Sequence, residues 1–185
     1  FDVVGLEPDA AYAKFATESY GVSIIEGGWR TADIEAESID LITAHHVLEH
    51  FQNPLAALRQ FRRWLKPQGK LYLSVPNIHD AERTPFSRFH FAHLYNFTPQ
   101  TLHMMALKAG FTPSRKVPPM GTSFVLEKLE KPVEEWLIFP SHAQDLKAFF
   151  ETHTSLHYFL SPTPYTRSFR RIGRLFSGRI RAAFT

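Results

Sequence analysis

Short apolar runs alternate with stretches of helical period along the first 128 residues, the pattern of a parallel sheet with helices packed on its faces. Val3–Leu6 reads as a buried strand. It leads into a helix opened by Asp9 as N-cap and closed by Gly21, and Val22–Ile25 gives the next strand before a loop through Gly27-Gly28. Ile39–Ala44 is a third apolar run. Asn53-Pro54 then supplies an N-cap and a first-turn proline, and Leu55, Leu58, Phe61 and Leu65 share one helical face until Lys66-Pro67. Gly69–Val75 alternates Leu71, Leu73 and Val75 with polar positions and stops at Pro76-Asn77. Thr98-Pro99 starts a helix that runs to Gly110. The runs Thr112–Val117 and Thr122–Lys128 are joined too closely for a helical crossover, so they are predicted to form an antiparallel hairpin. Beyond residue 128 the pattern predicts a helix over His142–Glu151 and an amphipathic one over Tyr165–Ile180.

Composition narrows the function classes. With 44% apolar residues and 17 Phe, the 185-residue chain has ample material for a core. No Cys is present, which excludes a disulfide framework, thiolate metal sites and a Cys nucleophile. No apolar run reaches membrane-spanning length, and a cytoplasmic location is the expectation. The net charge of +3 conceals an asymmetry. Of the 21 Lys and Arg residues, six Arg lie within 161–185, leaving 15 basic residues against 18 acidic ones in the chain. The high isoelectric point therefore comes from one tail and not from a basic face, so nucleic acid is not an expected partner. In that tail Phe169, Ile172, Phe176 and Ile180 recur at helical spacing between arginines. Residues 165–181 thus suit either docking on the parent domain or peripheral contact with an anionic membrane surface.

In an open α/β sheet ligands sit beyond the carboxyl ends of parallel strands. Glu7 follows the first strand, where a carboxylate can accept hydrogen bonds from two ribose hydroxyls or simply start a helix. The third apolar run continues as Thr43-Ala44-His45-His46-Val47-Leu48-Glu49-His50, and the next strand and its lead-in read Leu65-Lys66-Pro67-Gln68-Gly69-Lys70-Leu71-Tyr72-Leu73-Ser74-Val75-Pro76-Asn77. These segments, with His93-Leu94-Tyr95-Asn96-Phe97-Thr98-Pro99 and Lys108-Ala109-Gly110-Phe111, resemble class I S-adenosylmethionine-dependent methyltransferases, notably the ubiquinone-biosynthesis O-methyltransferase-like group. The resemblance covers about residues 1–128. It implies a Rossmann-like α/β methyltransferase domain over that range and leaves 129–185 as a helical extension ending in the basic amphipathic tail.

The same resemblance implies S-adenosylmethionine as cofactor. Glu7 becomes the ribose-binding acid, Gly28 and Trp29 line the adenine, and His45 packs beside the adenosyl or methionyl part. The family's first strand and glycine-rich turn have no counterpart after Phe1, so an N-terminally truncated sheet is expected. The strands ending at Leu6 and Ala44 should then show a gap between them or pair directly. His46 and His50 are candidate general bases for a small-molecule or lipid-like acceptor, since imidazole titrates near neutral pH. Some relatives carry two acids and a His at the positions of His46, Glu49 and His50 and are thought to hold magnesium. His46 replaces the first acid here, and magnesium prefers oxygen ligands, so no metal is expected. Two other readings compete: a non-catalytic interaction module acting through its basic tail, and a nicotinamide-dependent dehydrogenase fragment. The late hairpin argues against the dehydrogenase.

Overall fold

A computed structural model describes residues 1–115, 119–133, 135 and 139–166. It contains two sheets. The first is a parallel pair, β1 (Val4–Glu7) and β2 (Ser23–Glu26), in register from Val4 opposite Ser23 to Glu7 opposite Glu26. Helix α1 (Ala10–Tyr20) connects them. Its start is set by Asp9, whose carboxylate accepts from the backbone N–H groups of Ala11 (2.8 Å) and Tyr12 (3.0 Å). Its end is set by Gly21 at φ +65°, a left-handed conformation that costs glycine little.

The second sheet has the order β3-β4-β6-β5, from β3 (Ile39–His45), β4 (Leu65–Ser74), β5 (Phe111–Pro113) and β6 (Ser123–Lys128). β3 runs parallel to β4, β6 is antiparallel to both β4 and β5, and the predicted late hairpin is thereby present. Residues 116–118, part of the predicted Thr112–Val117 run, lie outside the described residues. No pairing joins β1 to β3 among the described residues, where the two strands belong to separate sheets.

Helix α2 (Pro54–Trp64) is capped by Asn53, whose side-chain oxygen accepts from Ala56 N–H at 2.9 Å. It buries Ala57, Leu58, Phe61 and Trp64 against Leu71 and Leu73 of β4, together with Leu102 and Ala106 of α3 (Pro99–Lys108). Full burial of a side chain such as Leu or Phe contributes about 1.5–3 kcal/mol, so this layer dominates the core. The sequence expectation places the end of α2 and the start of β4 too late. The chain becomes extended at Leu65, opposite Ile39, and the Lys66-Pro67-Gln68-Gly69 stretch bulges before pairing resumes at Lys70 opposite Leu41. Gly69 permits that bulge, since a Cβ there would stand 2.9 Å from the Ile39 carbonyl oxygen and 3.0 Å from that of Lys66.

Helices α4 (His142–Thr152) and α5 (Ser155–Leu160) follow, and α4 agrees closely with its predicted span. They pack over the loop that leaves β4. Phe149 meets His79, Phe150 meets Phe89, His142 Nε2 lies 2.9 Å from Thr98 Oγ1, and His153 Nε2 lies 2.7 Å from the Ala81 carbonyl oxygen. The predicted Tyr165–Ile180 helix lies outside the described residues from 167 onward.

Candidate active site at the strand ends

β3 ends at His45, and the next residue takes an unusual backbone conformation. His46 sits at φ +53°, a left-handed geometry costly for a non-glycine residue. Its N–H donates to the Ser74 carbonyl at 2.8 Å, which ties the turn to the end of β4. The imidazoles of His45 and His46 stack with centroids 4.3 Å apart. A single 3-10 turn, Leu48–His50, then drives Leu48 and Glu49 into the interior.

Glu49 is 1% exposed, and neither carboxylate oxygen has a hydrogen-bond partner among the described residues. Its Oε1 lies 3.9 Å from each of His46 Nδ1, His50 Nε2 and His93 Nε2, too far for a direct hydrogen bond. His50 Nδ1 lies 2.9 Å from the Ala92 carbonyl oxygen, which can only accept, so Nδ1 carries the hydrogen. In a neutral His50 the other nitrogen therefore turns a lone pair toward the carboxylate. A shared cation, either a proton or a metal ion, would reconcile these facing acceptors. The ligand atoms of Glu49, His50 and His93 lie within 4.8 Å of one another. One carboxylate and two imidazoles form a donor set better matched to a borderline ion such as zinc than to magnesium. The Glu49 backbone carbonyl also accepts from Leu94 N–H (2.9 Å) and Tyr95 N–H (3.1 Å), which clamps the loop carrying His93 onto this turn.

Burial lowers the pKa values of His46 and His93. The neighbouring His45 pushes His46 down further, and for His93 the attraction of Glu49 only partly offsets burial. Both rings are thus favoured as neutral bases at pH 7, the state a proton acceptor needs.

Glu7 stands at the carboxyl end of β1. One carboxylate oxygen accepts from Asp9 N–H at 2.9 Å, leaving the other available to a ligand hydroxyl, while the Glu7 carbonyl accepts from Gly27 N–H at 2.9 Å. The Gly28 carbonyl accepts from the N–H groups of Thr31 and Ala32, both at 3.0 Å. Trp29 packs against the core, with its ring 6.1 Å from Phe51 and the Arg30 guanidinium 4.8 Å from its centroid. Its indole is therefore already engaged as core cover. Sequence reasoning noted His93 and Glu49 in a group of histidines but not their convergence. The helix over His142–Glu151 is expected from the sequence, but its contacts with the loop after β4 are long-range and carry no local pattern.

A two-strand parallel unit, a sheet ending in an antiparallel hairpin, and an acid and histidines at strand carboxyl ends define a Rossmann-like class I methyltransferase fold. The family model for a methyltransferase domain matches residues 1–115, and the chain belongs to that family. Solved structures agree on the fold. A putative methyltransferase from Bacillus halodurans superposes with a TM-score of 0.51 at 17% identity, covering 61% of this chain and 54% of that one. For a SAM-dependent methyltransferase from Methanosarcina mazei the values are 0.53, 14%, 70% and 82%. For a possible histamine N-methyltransferase from Thermotoga maritima they are 0.50, 20%, 69% and 67%. The chain spans about half the length of the Bacillus protein and 51% of a putative methyltransferase from Haloferax volcanii. No curated protein matches.

Proposed function

We propose that the protein transfers a methyl group from S-adenosylmethionine to a small-molecule or lipid-like acceptor. The observation that carries this reading is the placement of Glu7, His45 and the buried Glu49 cluster at strand carboxyl ends in a chain of the methyltransferase-domain family. The cofactor supplies an electrophilic methyl on a sulfonium. Glu7 offers its second carboxylate oxygen to the ribose, the backbone at Gly28 and the edge of Trp29 border the adenine, and His45 flanks the adenosyl or methionyl part. His50 or His46 takes the acceptor's proton, with the carbonyl of Ala92 fixing the orientation of the His50 ring. Leu48-Glu49-His50 supports assignment to the ubiquinone-biosynthesis O-methyltransferase-like group. Edges of β1 and β3 that are unpaired among the described residues are the support for a further strand between them, with its glycine-rich turn beside the methionyl group. No helix among the described residues is long and apolar enough to cross a membrane. Peripheral contact through residues 165–181, a cytoplasmic location and the absence of a nucleic-acid partner remain part of the proposal.

Methyl transfer needs alignment of nucleophile, methyl and leaving sulfur more than Lewis-acid help, so the reaction is proposed to proceed without a metal. The test supplies methyl-labelled S-adenosylmethionine with a small-molecule and lipid extract of the source cells and follows label into the product. Label should appear equally with and without a strong chelator, and His50→Ala should slow its appearance about 10²–10⁴-fold. Loss on chelation, restored by zinc or magnesium, would instead make Glu49, His50 and His93 ligands.

A further inference from the structure

Arg88 follows the turn Pro85–Ser87 in the loop that leaves β4, and it is 3% exposed. Burying a guanidinium costs several kcal/mol unless it is paired, and it cannot escape by losing its proton under ordinary conditions. Here two aromatic rings of α4, their centroids 5.6 Å apart, pack beside the group. The guanidinium carbon lies 4.5 Å from the Phe149 centroid and 5.7 Å from that of Phe150. Two of its nitrogens, Nε and Nη2, are buried without a hydrogen-bond partner among the described residues. These two nitrogens form one edge of the guanidinium, the side-on fork that binds a carboxylate or phosphate through two parallel N–H···O bonds.

The neighbouring carboxylate is already committed. Asp80 raises the Arg88 pKa through its charge, opposing the larger lowering by burial, yet no carboxylate lies within 4.0 Å of Arg88 among the described residues. Asp80 accepts from Glu82 N–H at 2.8 Å through Oδ1, and its Oδ2 lies 3.7 Å from Arg83 Nε. A second unpartnered group belongs to the same packing unit. His153 Nε2 is spent on the Ala81 carbonyl, and its buried Nδ1 has no partner among the described residues. On the outside of this unit Phe86 and Phe91 are fully or nearly fully exposed, an apolar fringe beside a buried positive fork.

We infer that the Arg88 fork is a binding subsite for an oxyanion, a carboxylate or phosphate group carried on an apolar body. Phe149 and Phe150 pack on one side of the guanidinium, and the fork presents two donors to the two oxygens of the anion. Phe150 is half-buried and also lines an open surface depression with Ala143, Leu146, Lys147 and Glu151. The loop carries Arg88 two positions before His90, whose ring lies 4.9 Å from that of His93 in the strand-end cluster. The anion is accordingly the handle of the methyl acceptor. That last assignment rests on the methyl-transfer reading, whereas anion binding by Arg88 does not.

The experiment reads binding without cofactor. Benzoate, its neutral isostere benzamide, and inorganic phosphate are each titrated into the protein while the Arg88 Nε–H resonance is followed by NMR, assigned by its loss in Arg88→Lys. Benzoate or phosphate should shift that resonance saturably, and whichever binds more tightly names the oxyanion. Benzamide should leave it in place. Arg88→Lys keeps the charge but loses the fork, and calorimetry should show affinity at least about tenfold weaker. Equal responses to benzoate and benzamide, no response to either anion, or undiminished affinity in Arg88→Lys would overturn the subsite. If Arg88→Lys fails to fold, the wild-type titration still decides. Anion binding without any methyl transfer would retain the subsite and refute the acceptor assignment alone.

Discussion

The two sheets follow the same parallel βαβ logic but differ in how well they are covered. In the larger sheet α2 and α3 bury a continuous apolar layer, and Leu71 and Leu73 are fully buried. In the smaller one α1 buries only Ala13, while Tyr12, Phe15 and Tyr20 remain largely exposed, and both strands have a free edge. Leu41 of β3, the edge strand of its sheet, is 58% exposed. The larger sheet thus carries the core and the histidine cluster, whereas the smaller one holds Glu7 on a less covered scaffold that meets the core through Leu6. The residues proposed for cofactor recognition and for proton chemistry therefore rest on parts of unequal cover.

The sharpest way to break this comparison is to delete buried volume on each side. Leu73→Ala should destabilise by about 2–5 kcal/mol, and Val4→Ala by less than about 1 kcal/mol, in chemical denaturation. Amide hydrogens of β1 and β2 should exchange through local openings well below the global free energy, and those of β4 only near it. Equal protection in both sheets would refute the distinction.

Acid sharpens it next. Burial lowers the pKa of His46, His93, His103 and His153 in the fold, so below pH 6.5 the unfolded chain binds more protons than the native one. Their contribution is intact above pH 6.5 and is lost as pH falls through the lower folded values. The thermal midpoint should drop between pH 6.5 and 5, with the larger sheet's unit responsible. An unchanged midpoint over that range would contradict the lowered pKa values of these rings.

The smallest effect concerns the turn after β3. His46→Gly should relieve a left-handed strain and stabilise by about 1 kcal/mol while removing the stack on His45 and reducing turnover. A destabilised variant would show that the ring contributes more to packing than its backbone costs.

Locally encoded features were legible before any coordinates. Asp9, Asn53 and Thr98 cap helices because a capping side chain reaches only its own first turn, and the link between the two late strands is too short for a helical crossover, which leaves an antiparallel return. Lys66-Pro67-Gln68-Gly69 misled for the same reason: residues that commonly end an element here form a bulge within pairing set by distant Ile39 and Leu41. Glu49 and His50 were visible as a strand-end motif, but their meeting with His93 depends on a loop clamped through the backbone of Glu49. Arg88 gave no signal, since its covers come from α4, and burial of a single arginine has no periodicity.

The central claim is that strand-end residues of this chain hold the methyl donor, and titration calorimetry tests it on the protein expressed from its native gene. S-adenosylhomocysteine should bind at one site per chain, and Glu7→Ala should weaken it by about 1–3 kcal/mol through loss of charge-assisted hydrogen bonds. Binding undiminished in Glu7→Ala would remove Glu7 from the site, and no saturable binding by the wild type would contradict the account.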